Sequence, residues 1–193
     1  MGRIILPKKV KLFVGMLTAK ENIFEIAIEH LIKIYGITDY ESRLYEWQHT
    51  DYYEKEMGED LLRKFVFFKY HISPESISDV KKKTNEIEKL FGKQEGNQFS
   101  RRINLDPGYI TDAKVVLATT KDYSHRVYLR NGIYAEVELQ FSEKSYMPMP
   151  YTYSDFRSEE YISLFNKVRE DILRKHPPHP NPLPQGEREL SPP

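Results

Sequence analysis

Two short, strongly apolar segments of this chain constrain its fold more than any other feature. Residues 10–17 read VKLFVGML and residues 63–70 read RKFVFFKY. Their length and their β-branched and aromatic content are typical of buried strands. A strand that is apolar on both faces must be covered on both faces, so we expect the two segments to be central strands of one sheet.

The sequence around these strands alternates between helical and strand patterns. Residues 18–21 (TAKE) have the spacing of a capping box and precede a helix that ends near Gly36. Residues 43–49 predict a weaker strand, residues 73–91 a second helix, and residues 101–105 a further strand. The order β-α-β-β-α-β is that of the ferredoxin-like split motif, in which the first and third strands are central. We therefore predict an α+β fold with a ferredoxin-like core.

The remainder predicts an appended β-hairpin or meander and a C-terminal helix. Residues 111–121 (TDAKVVLATTK) favour a short helix with Thr111 as its N-cap, although their β-branched residues also allow a strand. Asn131-Gly132 is a strong turn signal and predicts a hairpin over residues 125–141. After a further strand near Tyr146, a last helix is expected to present an inward stripe of Tyr161, Phe165, Val168 and Ile172.

Composition limits the function classes. The chain has 193 residues, with Lys+Arg and Asp+Glu equal at 29 each, so it has no global basic field and nucleic-acid binding is not favoured. It contains no cysteine, which excludes disulfides, zinc-thiolate sites, Fe–S clusters and a cysteine nucleophile and favours the cytoplasm. No apolar run approaches the roughly 20 residues that span a bilayer.

The composition changes abruptly at His176. Residues 176–193 read HPPHPNPLPQGERELSPP, with five prolines in the first nine residues and no apolar periodicity. Such a segment cannot bury enough apolar surface to offset its ordering entropy. We predict a single domain over residues 1–175 and a disordered proline-rich tail over residues 176–193. The tail resembles a translated bacterial intergenic repeat.

The segment NLDPGY at residues 104–109 is the first candidate for chemistry. Pro107 and Gly108 in the middle of a four-residue turn predict type II geometry, at the end of the preceding strand. Asn104 and Asp106 then lie on one side of that strand end, where the carboxylate can bind a cation or act in acid–base chemistry. The alternative is a structural turn in which Asp106 accepts hydrogen bonds from local backbone N–H groups.

The predicted hairpin is the second candidate. A two-residue turn pairs Arg130 with Ile133, and hence Val127 with Glu136 and His125 with Glu138. Glu136 and His125 share a face, so a carboxylate can orient the imidazole for acid–base work. The alternative is an exposed ion pair that contributes little to stability. The assignment depends on the register, because a slip of one residue exchanges the faces.

Other charged and aromatic groups surround these candidates. Lys121 and Arg126, with Arg101 and Arg102, can clamp an anion, and Asn104 and Tyr109 can add ligand contacts. A scatter of solvated charges is the alternative. The acidic run Asp51, Glu54 and Glu56 suits a hard cation or, more simply, a solvated turn. The aromatic residues Tyr146, Tyr151, Tyr153 and Phe156 can form a docking patch or cover the core.

Common catalytic and nucleotide-binding motifs are absent from the sequence. There is no GxxxxGK[ST], GxGxxG, HExxH, GxSxG or EF-hand pattern. Thr120-Lys121-Asp122 is one residue short of the guanine-reading [NT]KxD pattern. The sequence therefore names no cofactor.

Six segments together resemble a prokaryotic domain-of-unknown-function family, number 4416. They are KLFVGML at 11–17, TDYYEKEMG at 50–58, NLDPGY at 104–109, LATTKDYSHRVYL at 117–129, GIYAEVEL at 132–139 and YTYSDFRSEEY at 151–161. The resemblance spans about residues 7 to 175 and implies no established activity. A GTP-binding label carried by some members has no support in this chain, which lacks a P-loop. The resemblance does focus attention on Asp106, His125, Arg126 and Glu136, which lie in the matching segments.

Two hypotheses follow. The first is a small enzyme or binding domain for an anionic or nucleotide-like small molecule. In it Asp106 and Glu136 are acid–base or cation-binding groups, His125 carries a proton, and Arg126 and Lys121 contact the anion. The second is a non-catalytic module that docks a protein or RNA through its sheet and its aromatic residues.

The tail gives the first testable prediction. Deleting residues 177–193 should leave the melting temperature of the protein essentially unchanged, because a segment without apolar periodicity adds no core. Differential scanning calorimetry of the full and shortened chains measures this. A clear fall in melting temperature would contradict the assignment of the tail.

Overall fold

A nine-stranded antiparallel sheet forms the centre of the structure. The structure is a computed structural model and describes residues 4–47, 54–95 and 98–175. Its strands are β1 (Lys11–Thr18), β2 (Thr38–Glu41), β3 (Tyr45–Glu46), β4 (Leu62–Phe68), β7 (Asn104–Ile110), β8 (Lys114–Thr119), β9 (Val127–Arg130), β10 (Ile133–Ser142) and β11 (Ser145–Pro148), and a separate pair is formed by β5 (Lys93–Glu95) and β6 (Gln98–Ser100). The order across the sheet is β11-β10-β8-β7-β1-β4-β2, with β3 paired to β4 and β9 paired to β10.

Three long helices cover the two faces of this sheet. They are α1 (Glu21–Tyr35), α3 (Ile77–Phe91) and α4 (Glu159–Lys175), and a four-residue helix, α2 (Glu54–Met57), follows the third strand. The predicted α+β class is confirmed. Within the described ranges, no helix is long and apolar enough to cross a membrane.

The central strand β1 explains why two helical layers are needed. All eight of its residues are buried. Leu12, Val14 and Met16 pack in one cluster with α1 and α3, whereas Phe13 packs on the other face against Phe165 of α4, with ring centroids 5.1 Å apart. Its neighbour β4 divides its side chains in the same way. The prediction that the two apolar segments are central, with both faces covered, is confirmed.

The helix faces agree with the sequence patterns, but some boundaries do not. Phe24, Ala27, Ile28 and Leu31 are buried on α1, and Tyr161, Phe165 and Val168 are buried on α4. The predicted capping box is wrong. Thr18 completes β1 and donates to the backbone oxygen of Arg102 (2.7 Å), and α1 begins only at Glu21. The predicted strand 43–49 is shorter, and residues 48 and 49 lie outside the described part of the chain.

The predicted turn at Asp106-Pro107-Gly108-Tyr109 is wrong, because these residues form the middle of strand β7. β7 pairs with β1 along Asn104–Ile110, and with β8 only from Gly108 onward. Pro107, which has no backbone N–H, therefore stands where the pairing with β8 has ended, as prolines in sheets commonly do. Gly108 is required by close packing: a Cβ atom there would lie 2.4 Å from the Val116 oxygen and 2.5 Å from the Phe13 ring.

The predicted helix over residues 111–121 is also wrong. Lys114–Thr119 is strand β8, buried at Val115, Val116, Leu117 and Ala118. The β-branched residues of this segment favour a strand, because in the sheet they pack between the neighbouring strands β7 and β10. Thr111 caps a tight turn instead, where its hydroxyl accepts from the backbone nitrogens of Ala113 (3.1 Å) and Lys114 (3.0 Å).

The hairpin forms as predicted at its turn, but its register then shifts. Arg130 pairs with Ile133, whereas Val127 pairs with Ala135 rather than with Glu136. A second irregularity in β10, opposite β8, lies between Val137 and Leu139. As a result Ile133 packs on the α1 and α3 face and Leu139 on the α4 face, so the single apolar face expected for this strand is divided.

Crowding at Gly108 gives a stability prediction. Gly108→Ala should lower the free energy of unfolding by about 1 to 3 kcal/mol, because the backbone of β8 and the Phe13 ring must move to admit one methyl group. Lys114→Ala, at an exposed position of the neighbouring strand, is the control and should cost less than about 0.5 kcal/mol. Urea denaturation measures both. Equal values for the two variants would show that the sheet opens at Gly108 without strain.

Candidate functional site

A cavity of about 300 Å³ lies on the α4 side of the sheet, beneath the segment that follows β11. Trp47, Phe156 and Leu117 contribute its apolar wall. Its polar lining consists of Arg63, Asp106, Lys121, Glu136, Tyr153 and Asp155. The lining therefore combines an aromatic surface with three carboxylates and two cations, which is a common composition for a ligand site.

Arg63 holds this cavity together. Its side chain is 4% exposed, and its guanidinium donates to Asp106 Oδ2 (3.1 Å) and Asp155 Oδ2 (3.3 Å) while lying 4.7 Å from the Trp47 ring centroid. Burial by itself would lower the pKa of Arg63, but the negative charges of Asp155 and Asp106 raise it, so the group stays charged. Strands β4 and β7 and the turn at Asp155 are thereby joined by one cation.

Asp106 lines the cavity and also contacts Asn104, the first residue of β7. Asn104 Nδ2 donates to Asp106 Oδ2 (2.7 Å), and Lys81 Nζ lies 3.8 Å from Oδ1. Burial tends to raise the pKa of Asp106, but Lys81, Arg63 and the hydrogen bonds outweigh it and lower the pKa. Asp106 is therefore an ionised, partly accessible carboxylate, with 27% of its side chain exposed.

A second polar group is centred on Glu136. Its Oε2 lies 2.7 Å from His125 Nε2, and its Oε1 lies 3.1 Å from an Arg126 nitrogen. The His125 ring stacks on Tyr151, with centroids 4.2 Å apart and planes 10° apart. Arg126 also donates to the Tyr153 hydroxyl (2.6 Å) and the Lys121 backbone oxygen (3.0 Å). The imidazole is therefore held in one orientation by a buried carboxylate and an aromatic ring.

Glu138 is a buried acid beside this group. It is fully buried, and its Oε2 accepts from the Tyr153 backbone nitrogen (3.1 Å). Burial and the charges of Glu136 and Asp155 raise the pKa of Glu138 to about 8. The irregularity of β10 between Val137 and Leu139 leaves Glu138 without a paired residue on β8, and irregularities of this kind are common next to functional sites.

A second recess, of about 330 Å³, opens where β7 and β8 diverge. Its charged lining comprises Lys81, Lys89, Arg101, Lys121, Glu88 and Asp106. Helix α3 closes the unpaired edge of β7 there: Glu88 Oε1 accepts from the Leu105 nitrogen (2.7 Å), and Lys81 donates to the Leu105 oxygen (2.8 Å). The two recesses share the lining residues Asp106, Thr119, Lys121 and Tyr153, so they adjoin each other.

The structure brings together most of the residues that the sequence singled out. Asp106, Glu136 and Lys121 line the cavity, Asn104 lines the adjoining recess, and His125 and Arg126 contact Glu136. Tyr109 does not belong to this group, because it packs against the core on the α1 and α3 face. His125 meets Glu136 rather than Glu138, as a consequence of the shifted register.

The suggested acidic cation site is covered by the structure only at Glu56, because Asp51 and the side chain of Glu54 lie outside the described residues. Glu56 binds Arg101 (2.7 Å), Asp51 lies outside the described residues, and no group of three potential metal ligands occurs within the described ranges. Arg101 is thereby placed at the mouth of the second recess, where its guanidinium also donates to Asn104 Oδ1 (3.1 Å).

Sequence reasoning missed Arg63, Asp155, Trp47 and Lys81, and it considered Glu138 only as the residue opposite His125. One signal was present: Arg63 is a cation in a strand that was expected to be buried on both faces, which is uncommon unless the charge is paired. Nothing in the sequence indicated its partners, because Asp106 and Asp155 are 43 and 92 residues away.

Comparisons with known proteins gave one finding. A family model described as "Domain of unknown function (DUF4416)" matches residues 8–172. No curated protein and no solved structure matches the chain.

Glu138 gives a prediction about pH. Its folded-state pKa is raised above that of the unfolded chain, so the unfolded state loses its proton first and wild-type stability falls as pH rises from about 4.5 to about 8. Glu138→Gln mimics the protonated acid and should remove this loss. The stability difference between variant and wild type should grow by on the order of 2 kcal/mol or more between pH 5 and pH 8.

Urea denaturation at both pH values measures this difference, and Glu143→Gln at an exposed position of the β10–β11 turn is the control. A constant difference between Glu138→Gln and wild type would mean that Glu138 is ionised in the folded protein at pH 5.

Proposed function

This chain belongs to the domain-of-unknown-function family DUF4416, and we propose that its two adjoining recesses form a binding site, with acid–base capacity, for an anionic, nucleotide-like small molecule. The observation that carries the proposal is the shared boundary of the recesses. Asp106, Thr119, Lys121 and Tyr153 line both, so one ligand can occupy both at once. A cysteine-free chain is compatible with the cytosol, where such ligands occur.

The recess beside α3 supports an anionic ligand. Lys81, Lys89, Arg101 and Lys121 line it against two carboxylates, Glu88 and Asp106. Burial raises the pKa of Glu88, and the charge of Lys81 opposes this effect. Arginine and lysine together with Asn104 can hold a phosphate-type group by charge-assisted hydrogen bonds.

The cavity supports a planar group next to that anion. Trp47, Tyr153 and Phe156 line it, and its volume of about 300 Å³ is at the lower end of the range for small-molecule sites. Stacking on aromatic side chains is the usual mode of holding a base or similar ring. The ring and the anionic group of the ligand would be joined next to Lys121 and Asp106, which line both recesses.

The acid–base capacity rests on His125 and Glu136. A carboxylate 2.7 Å from Nε2 fixes the tautomer and orientation of the imidazole, so that Nδ1 is left to exchange a proton. The pKa of Glu138 is raised to about 8, so this carboxyl group is protonated at neutral pH and can donate a proton beside Glu136. In this proposal Asp106 is the carboxylate that contacts the ligand.

We further propose that β1, α1, β2 with β3, β4, α3 and β7 form a ferredoxin-like core. The order β7-β1-β4-β2, with every neighbouring pair antiparallel, supports this arrangement. The site then lies where the appended strands β8 to β11 meet the fourth strand of that core. Sites at the junction of a core and its additions are common, because additions create concave surfaces.

One observation favours a different function, a non-catalytic module that docks a protein. All four residues of β9 are exposed, among them Val127 (67%), Tyr128 (57%) and Leu129 (38%). Exposed apolar residues on an outer strand are typical of a docking surface. This reading predicts that no small anion stabilises the protein.

A thermal-shift titration of the full chain with inorganic phosphate, pyrophosphate and nucleoside monophosphates tests the proposed function. Saturation at about 100 times the dissociation constant should add about 2.7 kcal/mol to the stability. Lys121→Ala should weaken binding by about tenfold or more, because a charge-assisted hydrogen bond is lost. Lys82→Ala, at an exposed position of α3 outside both recesses, should bind like the wild type. Absence of stabilisation by every probe would refute the proposed function.

A further inference from the structure

The two adjoining recesses differ in charge. Three carboxylates and two cations line the cavity, namely Asp106, Glu136, Asp155, Arg63 and Lys121. In the recess beside α3, four cations face two carboxylates. One end of the site is therefore suited to hydrogen-bond donors and the other to an anion, although both belong to one continuous surface.

Glu136 is a buried carboxylate in the lining of the cavity. Its side chain is 1% exposed, and its Oε2 is occupied by His125. Its Oε1 is buried and has no hydrogen bond with suitable geometry from any described residue; Arg126 lies 3.1 Å away as an ion-pair partner only. A buried carboxylate oxygen that accepts no hydrogen bond is unfavourable, so a ligand that donates to it gains affinity.

We propose that the ligand is bipolar: an amino-bearing planar ring donates to Glu136 Oε1 inside the cavity, and a phosphate-type group occupies the recess lined by Lys81, Arg101 and Lys121. This inference rests on the proposed function and names the ligand class for the same site. Trp47 and Phe156 supply the apolar surface for the ring, and Glu136 supplies the acceptor that distinguishes an amino-bearing ring from one without a donor.

Arg126 makes its hydrogen bonds to groups other than Glu136. Its two Nη atoms donate to the Lys121 backbone oxygen and the Tyr153 hydroxyl, its Nε makes no hydrogen bond with any described residue, and its contact with Glu136 Oε1 is an ion pair at 3.1 Å. A ligand N–H that reaches Oε1 from the cavity therefore displaces no existing hydrogen bond of that oxygen. Loss of that N–H leaves the oxygen as it is in the empty site, so the gain from binding disappears.

Isothermal titration of the full chain with matched purine probes tests the inference. Adenosine monophosphate and 2-aminopurine riboside monophosphate carry both groups, purine riboside monophosphate lacks the amino group, and adenosine lacks the phosphate. At least one amino-bearing monophosphate should bind about tenfold or more tightly than purine riboside monophosphate, and adenosine should bind about tenfold or more weakly than its monophosphate. The wild-type comparison needs no variant, so it decides the matter even if a substitution fails to fold.

Glu136→Gln should reduce the preference for the amino group to below about threefold while leaving the preference for phosphate, because the amide retains the shape but loses the charge. Glu143→Gln, with an exposed side chain on the same hairpin, should preserve both preferences. If all three monophosphates bind equally, the bipolar inference is wrong and the proposed function stands. If no phosphate-bearing probe binds, the proposed function itself is wrong.

Discussion

The buried guanidinium of Arg63 is the interaction on which the site depends. It lies in the second of the two central strands, and its partners Asp106 and Asp155 belong to β7 and to the turn before α4. Removing one member of such a group typically costs 3 to 5 kcal/mol, about as much as several core contacts, because the remaining charge stays buried without compensation. Arg63 therefore fixes the position of the segment that covers the cavity, and with it the positions of Tyr153 and Phe156.

The irregularity in β10 is the second determinant of the site. A regular strand would place Glu136 and Glu138 on the same face, and Leu139 on the opposite one. Instead Glu138 is the extra residue between the paired positions Val137 and Leu139, and Leu139 packs in the α4 core. Glu138 then holds the Tyr153 backbone, and Glu136 holds His125 and Arg126. One irregular position thus arranges two acids for different tasks.

Sequence patterns identified the right polar residues for reasons that were partly wrong. Asp106 was expected in a type II turn, yet it lies within a strand whose Gly108 is needed for close packing rather than for a positive φ. His125 was expected opposite Glu138, yet the register shifts after Ile133 and His125 contacts Glu136 instead. Tyr109, adjacent to the same motif, lies on the other face of the sheet because side chains alternate along a strand.

The sequence by itself determined the α+β class, the two central strands and the inward face of α4. These follow from local periodicity and from the need to cover strands that are apolar on both sides. Only the tertiary structure decided that residues 104–110 and 114–119 are strands, that β10 is irregular, and that Arg63 joins Asp106 to Asp155. The physical reason is that these outcomes depend on contacts between residues far apart in the chain, whose energies outweigh the local turn and helix preferences.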